Sequence, residues 1–186
     1  MKKLAMISSR LFDPINILAV IGVGAMVRSG NTQFLPVFVF GMVLPPFALL
    51  LWAVKTRRIT NLDVSNRRQR IGVLSVFVFL LFFDFFIVKN FGNAYLLHIF
   101  SLFLLWFAGF FGVTLFWKIS GHTSTLTVAS FLVIQWFGWD WWPILLTIPL
   151  VSWARVKRKN HTFTQVVAGV LYSVSFIGFM RLTGLL

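Results

Sequence analysis

Long apolar runs separated by short polar stretches make up most of the chain. A helix needs about 20 apolar residues to cross the hydrocarbon core of a bilayer. Taken between charges and Gly/Pro breaks, the runs predict about seven membrane segments, at residues 14–28, 33–54, 71–89, 94–117, 122–138, 141–154 and 162–184. The fifth and sixth are short, and six spans with one re-entrant or interfacial segment is the alternative. The pattern predicts an all-α, polytopic transmembrane helix bundle.

The composition agrees with this pattern. Of the 186 residues, 59% are hydrophobic and only 11% are charged, which leaves too little polar surface for a soluble domain. At this length the chain is expected to form one integral membrane domain over residues 1–186. The N-terminal stretch MKKLAMISSRLFDPINILAV resembles a signal peptide, but Asp13 and Pro14 interrupt its apolar part. We therefore interpret it as a retained first span.

The basic residues are distributed unevenly between the two predicted faces of the membrane. Fourteen of the 17 Lys and Arg residues lie in the N-terminus or in the loops after the second, fourth and sixth segments. Because basic loops stay on the cytoplasmic side, the N-terminus and these loops are predicted to be cytoplasmic. A net charge of +13 placed in short loops between apolar spans indicates anionic membrane lipids or a phosphorylated substrate, rather than nucleic acid, as the partner.

Acidic and sulfur ligands are scarce. The chain has no cysteine and no glutamate, and its four aspartates are Asp13, Asp63, Asp84 and Asp140. Thiolate metal sites, di-iron clusters and paired-carboxylate glycosidase chemistry therefore lack the side chains that they need. We expect no metal and no other cofactor.

Three polar clusters on the predicted cytoplasmic face contain the residue types of a phosphate site: NRRQR at 66–70, KISGH at 118–122 and RVKRKNH at 155–161. His122 and His161 lie at the predicted N-terminal ends of helices, where unpaired N–H groups favour an anion. Arginine forks match phosphate oxygens, and an imidazole can attack phosphorus or protonate a leaving oxygen. The three clusters together fit a metal-independent phosphohydrolase.

The sequence SGHT at 120–123, followed by R-x5-H-x3-Q at 155–165 and then VVAGVLYS, resembles the type-2 phosphatidic acid phosphatase superfamily, which also includes the vanadium-dependent haloperoxidases. NRRQR resembles a shorter form of that superfamily's first motif found in some prokaryotic branches. The likeness covers about residues 55–175. It implies a helix bundle of that kind, a phosphorylated lipid as substrate and a location in a prokaryotic cell membrane.

By this resemblance His161 is the nucleophile that forms a phosphohistidine, and His122 is the general acid for the leaving group. Gln165, one helical turn after His161, shares its face and can orient its ring. The residues that the resemblance assigns to phosphate binding are Arg67, Arg70, Lys118, Ser120, Gly121 and Arg155. The implied reaction is metal-independent hydrolysis of a phosphate monoester or diphosphate on phosphatidic acid, phosphatidylglycerol phosphate or an isoprenyl lipid.

The chain departs from the superfamily's motifs at several positions. Ile119 replaces a proline, Ala154 replaces a serine, and no K-x6-RP motif is present. Gln165 stands where the superfamily has aspartate, and a neutral amide stabilises a developing imidazolium less than a carboxylate does. A weaker or differently tuned enzyme is expected. The alternatives are an inactive relative that binds or transports anionic lipids, and a structural membrane subunit.

Asp84 and His98 lie within predicted spans, on the side opposite the three clusters. If the third and fourth segments form a hairpin, the two side chains lie at similar depth. An ionisable group inside a membrane is costly unless it is paired. We expect a structural pairing of Asp84 with His98 or with Lys89.

Overall fold

The computed structural model describes residues 2–186, and none of these residues is in a β-strand. The α-helices, in chain order, are α1 (Lys2–Leu11), α2 (Pro14–Arg28), α3 (Leu35–Val37), α4 (Leu44–Lys55), α5 (Arg67–Phe91), α6 (Ala94–Phe116), α7 (Gly121–Phe137), α8 (Thr147–Lys157) and α9 (Phe163–Leu182). A 3₁₀ turn (Thr32–Phe34) precedes α3, a π-helical stretch (Phe38–Val43) precedes α4, and a 3₁₀ stretch (Trp139–Leu146) precedes α8. The predicted all-α architecture is confirmed.

Five helical segments of the described chain are long and apolar enough, by length and composition, to cross a membrane. They are Lys3–Arg28, Thr32–Lys55, Arg67–Phe91, Ala94–Phe116 and Phe163–Leu182. The fifth and sixth predicted segments are also helical but shorter, with 17 residues in α7 and 11 in α8. At 1.5 Å per residue, α7 is about 26 Å long, against a hydrocarbon core of about 30 Å. The chain is an integral membrane protein with several spans.

The chain divides into two compact units. The first comprises Met1–Ile21 and Ile119–Leu186, and the second comprises Gly22–Lys118. The KISGH cluster is cut between Lys118 and Ile119, so its histidine belongs to the first unit and its lysine to the second. The expectation of one domain over the whole chain stays a prediction.

The second unit is built on the pair α5 and α6, which pack against each other. Asn66 caps α5 through its side chain, and Asn93 caps α6 in the same way. Asp84 is buried in α5, whereas His98 is exposed in α6. The pairing proposed for these two residues stays a prediction.

In the first unit α7 packs most extensively against α9, and α1 packs most extensively against α8. An apolar cluster connects the start of α2 with α7 and α8, and its buried members are Ile17, Leu126, Ala129 and Val151. The N-terminal segment is therefore packed into the same unit as α7, α8 and α9, the helices that begin or end at the two histidine motifs.

Small hydroxyl side chains hold α7 against α9. The Oγ atoms of Ser124 and Ser173 are 2.8 Å apart, and Thr123 Oγ1 donates to the carbonyl of Val166 at 3.1 Å. All three hydroxyl residues are fully buried. Because lipid supplies no hydrophobic force between helices, small residues and interhelical hydrogen bonds stabilise such contacts. This packing fixes the start of α7 beside the start of α9.

We expect Gly169→Ala to destabilise the protein, because α9 approaches the start of α7 closely there. An added Cβ would lie 2.6 Å from both the carbonyl oxygen of Ser120 and Oγ1 of Thr123, so the backbone must shift. Overpacking of this kind costs about 1–3 kcal/mol. Gly178→Ala is the matched control, since a Cβ at that position of α9 meets nothing within 4 Å. Thermal unfolding in detergent should give a lower Tm for Gly169→Ala alone; equal Tm values would contradict the close approach.

Candidate active site

Helix α7 begins at a cap that Ser120 provides. Ser120 is fully buried, and its Oγ accepts a hydrogen bond from the N–H of Thr123 at 3.4 Å. The N–H of Ser120 donates to the carbonyl of Gln165 at 3.0 Å, which joins the start of α7 to the first turn of α9. Gly121 and His122 are the first two residues of α7, and both are buried. The predicted position of His122 at a helix N-terminus is confirmed.

Helix α9 begins with a capping box formed by Thr162 and Gln165. Thr162 Oγ1 accepts from the N–H of Gln165 at 3.3 Å, and Gln165 Oε1 accepts from the N–H of Thr162 at 3.1 Å. His161 directly precedes the cap and is buried. The histidine therefore lies just outside α9, where the capping interaction fixes the backbone on its C-terminal side.

The capping box also determines which nitrogen of His161 carries the proton. Gln165 Oε1 lies 3.2 Å from His161 Nδ1. Because the same atom accepts from the N–H of Thr162, it is the carbonyl oxygen of the amide, not its NH₂ group, that faces the ring. An acceptor at this position assigns the proton to Nδ1 and leaves the lone pair on Nε2. Gln165 Oε1 therefore favours the tautomer of His161 that carries its proton on Nδ1 and its lone pair on Nε2.

Arg155 lies in the last turn of α8, and only 1% of its surface is exposed. The helix ends in a Schellman motif, in which Asn160 N–H donates to the carbonyl of Arg155 at 3.1 Å and Lys159 N–H to that of Val156 at 2.9 Å. Lys159 adopts the left-handed conformation that the motif requires, with φ 57°. This reversal brings the chain from Arg155 to His161 by way of a hydrogen-bonded turn.

Two side chains lie at the ring of His122, and a third holds one of them. Arg155 Nη1 lies 3.3 Å from His122 Nε2, and Asp13 Oδ2 lies 3.7 Å from the same nitrogen. Ser9 Oγ accepts a hydrogen bond from Nη1 of Arg155 and another from Nη1 of Arg158, each at 2.7 Å. The site in the first unit thus contains a histidine with a cation and a carboxylate at the same ring nitrogen.

The sequence patterns did not identify Ser9 and Asp13 as site residues. Ser9 precedes Arg155 by 146 positions, and Asp13 belongs to no motif. The one available signal was the interruption of the apolar N-terminal segment at Asp13 and Pro14. A charge at such a position must be solvated or partnered, and only the fold shows which partner it has.

Arg67, Arg70 and Lys118 lie in the second unit. Arg67 is the first residue of α5, and its guanidinium donates to the carbonyl of Leu115 and, at 3.4 Å, to that of Thr114. Both carbonyls are at the C-terminal end of α6, where a cationic donor satisfies groups that the helix leaves unpaired. This contact gives Arg67 a structural role, and its assignment to phosphate binding stays a prediction.

The other two basic residues of the second unit also contact protein groups. Arg70 is buried, with its guanidinium carbon 5.9 Å from the ring centroid of Phe110. Lys118 Nζ donates to the carbonyl of Ser65 at 2.7 Å. Their assignment to phosphate binding stays a prediction as well.

An apolar groove of about 500 Å³ runs between α8 and α9. Its lining residues fall within 148–156 of α8 and 163–171 of α9, and all except Ser152 are hydrophobic. The lining includes Val156, which follows Arg155 in the chain, and Phe163, two residues after His161. The groove lining and these two polar residues are therefore close in sequence.

Comparison with protein families gives one match. Residues 114–184 fit the model of the PAP2 superfamily. This segment, which is less than half of the chain, is similar to the PAP2 superfamily. Neither a search of curated proteins nor a search of solved structures found a match.

The PAP2 segment contains α7, α8 and α9 with His122, Arg155, His161 and Gln165. PAP2 proteins are generally phosphatases, so the coarse function of this chain is hydrolysis of phosphate esters. The resemblance inferred from the SGHT and R-x5-H-x3-Q motifs is confirmed. The matched residues begin at 114 and do not include NRRQR, so the reading of that cluster as a first PAP2 motif stays a prediction.

We expect Gln165→Glu to raise the rate of phosphate release by at least about tenfold, since a carboxylate supports a histidine that becomes cationic far better than an amide does. Glutamate keeps the length of the side chain and the acceptor atoms of the capping box, so the start of α9 is retained. Phosphate release by purified wild type and variant, with Tm measured in parallel, tests this. The control Thr164→Glu adds the same charge to the first turn of α9 at an exposed position. A rate equal to or below that of wild type, at unchanged Tm, would contradict this role of the charge.

Proposed function

We propose that the protein is a phosphatase of membrane lipids that hydrolyses a phosphate monoester or diphosphate through a phosphohistidine at His161, without a metal. The observation that carries the proposal is the geometry of the first unit. There a buried histidine contacts a buried arginine at 3.3 Å, and a second buried histidine has its Nδ1 held by Gln165. These are the groups needed for nucleophilic attack, leaving-group protonation and phosphate binding.

In the first step, the lone pair on His161 Nε2 attacks phosphorus and forms a nitrogen–phosphorus bond. The bond from phosphorus to the leaving oxygen breaks, and His122 supplies the proton that this oxygen takes up. Arg155, the N–H groups at the start of α7 and the Ser120–Gly121 turn stabilise the charge on the equatorial oxygens. Throughout this step Nδ1 keeps its proton and donates a hydrogen bond to Oε1 of Gln165.

In the second step, water attacks the phosphohistidine and His122, now neutral, takes a proton from it. The nitrogen–phosphorus bond breaks, its electron pair returns to His161 Nε2, and inorganic phosphate leaves. Both histidines are then restored to their starting protonation states. In this scheme His122 gives a proton in the first step and takes one in the second. The scheme therefore needs no catalytic group other than side chains and backbone N–H groups of this chain.

A lipid is the substrate class that the surroundings of the site support. The groove between α8 and α9 is lined almost entirely by hydrophobic residues, among them Val156 and Phe163, which are close in sequence to Arg155 and His161. An amphiphile can therefore place its phosphate at the polar end and its acyl or isoprenyl chain along the groove. Phosphatidic acid, phosphatidylglycerol phosphate and isoprenyl diphosphates all meet this description.

We further propose that the N-terminus and the loops that carry His122 and His161 face the cytoplasm of a prokaryotic cell, with the substrate entering from that leaflet. The excess of basic residues in these segments supports this orientation. Anionic lipids of the same leaflet would contact the basic loops.

The proposal is tested by phosphate release from a panel of substrates offered in mixed micelles. The panel contains phosphatidic acid, phosphatidylglycerol phosphate, an isoprenyl diphosphate, and glycerol 3-phosphate as a control without a tail. Release from at least one lipid, at a kcat/KM well above that for glycerol 3-phosphate, is the expected result. Release from glycerol 3-phosphate at an equal kcat/KM would refute the lipid preference, and no release from any substrate would refute the enzyme.

A lipid-binding protein without turnover is the second candidate, and Gln165 is the observation that favours it. An amide at this position holds the ring but offers no charge to stabilise it. Saturable binding of a lipid phosphate by a protein that releases no phosphate would establish this candidate in place of the phosphatase.

A further inference from the structure

The carboxylate of Asp13 lies at a histidine of the site, although the sequence motifs place none there. Asp13 Oδ2 is 3.7 Å from Nε2 of His122. Its other oxygen, Oδ1, accepts a hydrogen bond from the N–H of Ile15 at 3.1 Å, and Asp13 O accepts from the N–H of Ile17 at 3.0 Å. Pro14, the first residue of α2, fixes the backbone between them. The carboxylate is thus held at the start of α2 with one oxygen directed to the ring.

A neighbouring cation destabilises the protonated form of His122, and the carboxylate of Asp13 can offset this effect. Arg155 Nη1 lies 3.3 Å from His122 Nε2, and a guanidinium is always charged and only donates hydrogen bonds. A cation beside an imidazole disfavours its protonated form, which is the form that a general acid requires. An anion at the same ring nitrogen stabilises the protonated form. Arg155 from α8 and Asp13, the residue before α2, both lie at this nitrogen.

Because His122 and Arg155 are buried, the charges near them have a large effect on whether His122 is protonated. Only 4% of His122 and 1% of Arg155 are exposed, so water screens their repulsion weakly. Asp13 is about one-third exposed, so solvent also reaches its carboxylate. Ser9, one helix earlier, holds Arg155 Nη1 at 2.7 Å and so fixes the cation as well.

We propose that Asp13 is a positioning residue that stabilises the protonated form of His122 and so enables it to protonate the leaving group. The inference rests on the proposed phosphatase function. In this protein the carboxylate partner acts on the general acid His122, whereas the nucleophile His161 is held by the neutral amide of Gln165. The N-terminal segment supplies this partner, and the segment is therefore part of the active site.

How much a reaction needs a general acid depends on its leaving group, and the test compares two leaving groups. An alkyl phosphate needs its leaving alkoxide protonated, whereas 4-nitrophenol leaves without help. Asp13→Asn should lower kcat/KM for a dialkylglycerol phosphate by about 10- to 100-fold, which is part of the roughly 100- to 10,000-fold that a general acid contributes, and for 4-nitrophenyl phosphate by less than about threefold. Asp13→Glu should restore part of the alkyl activity. Asp140→Asn, which removes an exposed carboxylate from the 3₁₀ stretch, is the matched control and should leave both activities unchanged.

Equal losses on both esters, or no loss on either, would overturn the role of Asp13. A measurement independent of turnover separates this from failure of the phosphatase itself. In ¹⁵N-histidine NMR of the detergent-solubilised protein, with the signal assigned by a His122→Gln variant, Asp13→Asn should lower the pH at which His122 loses its proton. An unchanged midpoint would overturn the proposal even if the protein hydrolyses lipids. A lowered midpoint in a protein that releases no phosphate would retain the contact and refute the function.

Discussion

His161→Ala should reduce phosphate release from a lipid phosphate by at least about 1,000-fold, since loss of a nucleophile removes the covalent pathway altogether. The buried ring is held by Gln165 at 3.2 Å from Nδ1, and no other side chain is assigned to attack phosphorus. Initial rates with phosphatidic acid or an isoprenyl diphosphate in mixed micelles measure the effect. Gel filtration and Tm, unchanged from wild type, show that the variant is folded.

His98→Ala is the matched control for this variant. His98 is an exposed histidine of α6 in the second unit, and its removal should change the rate by less than about threefold at equal Tm. Rapid quenching with a phosphorus-labelled substrate adds a direct measurement, since phosphohistidine is labile to acid and stable to alkali. An alkali-stable phosphoenzyme should form in wild type and be absent from His161→Ala. A His161→Ala protein that retains more than about one-tenth of the wild-type rate would rule out His161 as the nucleophile.

Arg155→Lys is expected to lower kcat/KM by about 100-fold or more while retaining the charge. A lysine cannot offer the planar fork that matches phosphate oxygens, and it places its charge differently relative to His122 and Ser9. Because Arg155 is almost fully buried, the substitution is also expected to lower the Tm. The kinetic effect is read from initial rates at a temperature at least 15 °C below the measured Tm of the variant.

Arg158→Lys is the corresponding control, since Arg158 also donates to Ser9 Oγ at 2.7 Å but is not assigned to phosphate. Its kcat/KM should stay within about threefold of wild type. Similar losses in the two variants would show that the common contact with Ser9, rather than phosphate binding by Arg155, carries the effect.

The membrane architecture could be predicted from the sequence because each span is specified locally. A run of about 20 apolar residues is stable in a bilayer as a helix whatever lies next to it, since the helix satisfies its own backbone hydrogen bonds. The first four segments and the last were found in this way. The segments that became α7 and α8 were recognised as short from the same count, and both are helical.

Part of the candidate site could also be predicted, because its residues are close together in the sequence. His161 and Gln165 are four residues apart, and Ser120 and His122 are two apart, so their proximity follows from the geometry of a helix start. What the spacing did not reveal is that Gln165 Oε1 accepts from the N–H of Thr162 and thereby assigns the proton of His161 to Nδ1. That Gln165 both caps α9 and contacts the ring of His161 can be recognised only from a structure that shows both contacts.

The sequence by itself determined that this is a helical membrane protein with a PAP2-like pair of histidines, because hydrophobic length and motif spacing are properties of single segments. Only the tertiary structure decided that Asp13 and Ser9 reach the site, that Gly169 sets the contact of α9 with α7, and that Arg67 donates to the end of α6. These contacts join residues tens to more than a hundred positions apart. They depend on how whole helices pack, and no local pattern of polarity encodes the partner that packing will supply.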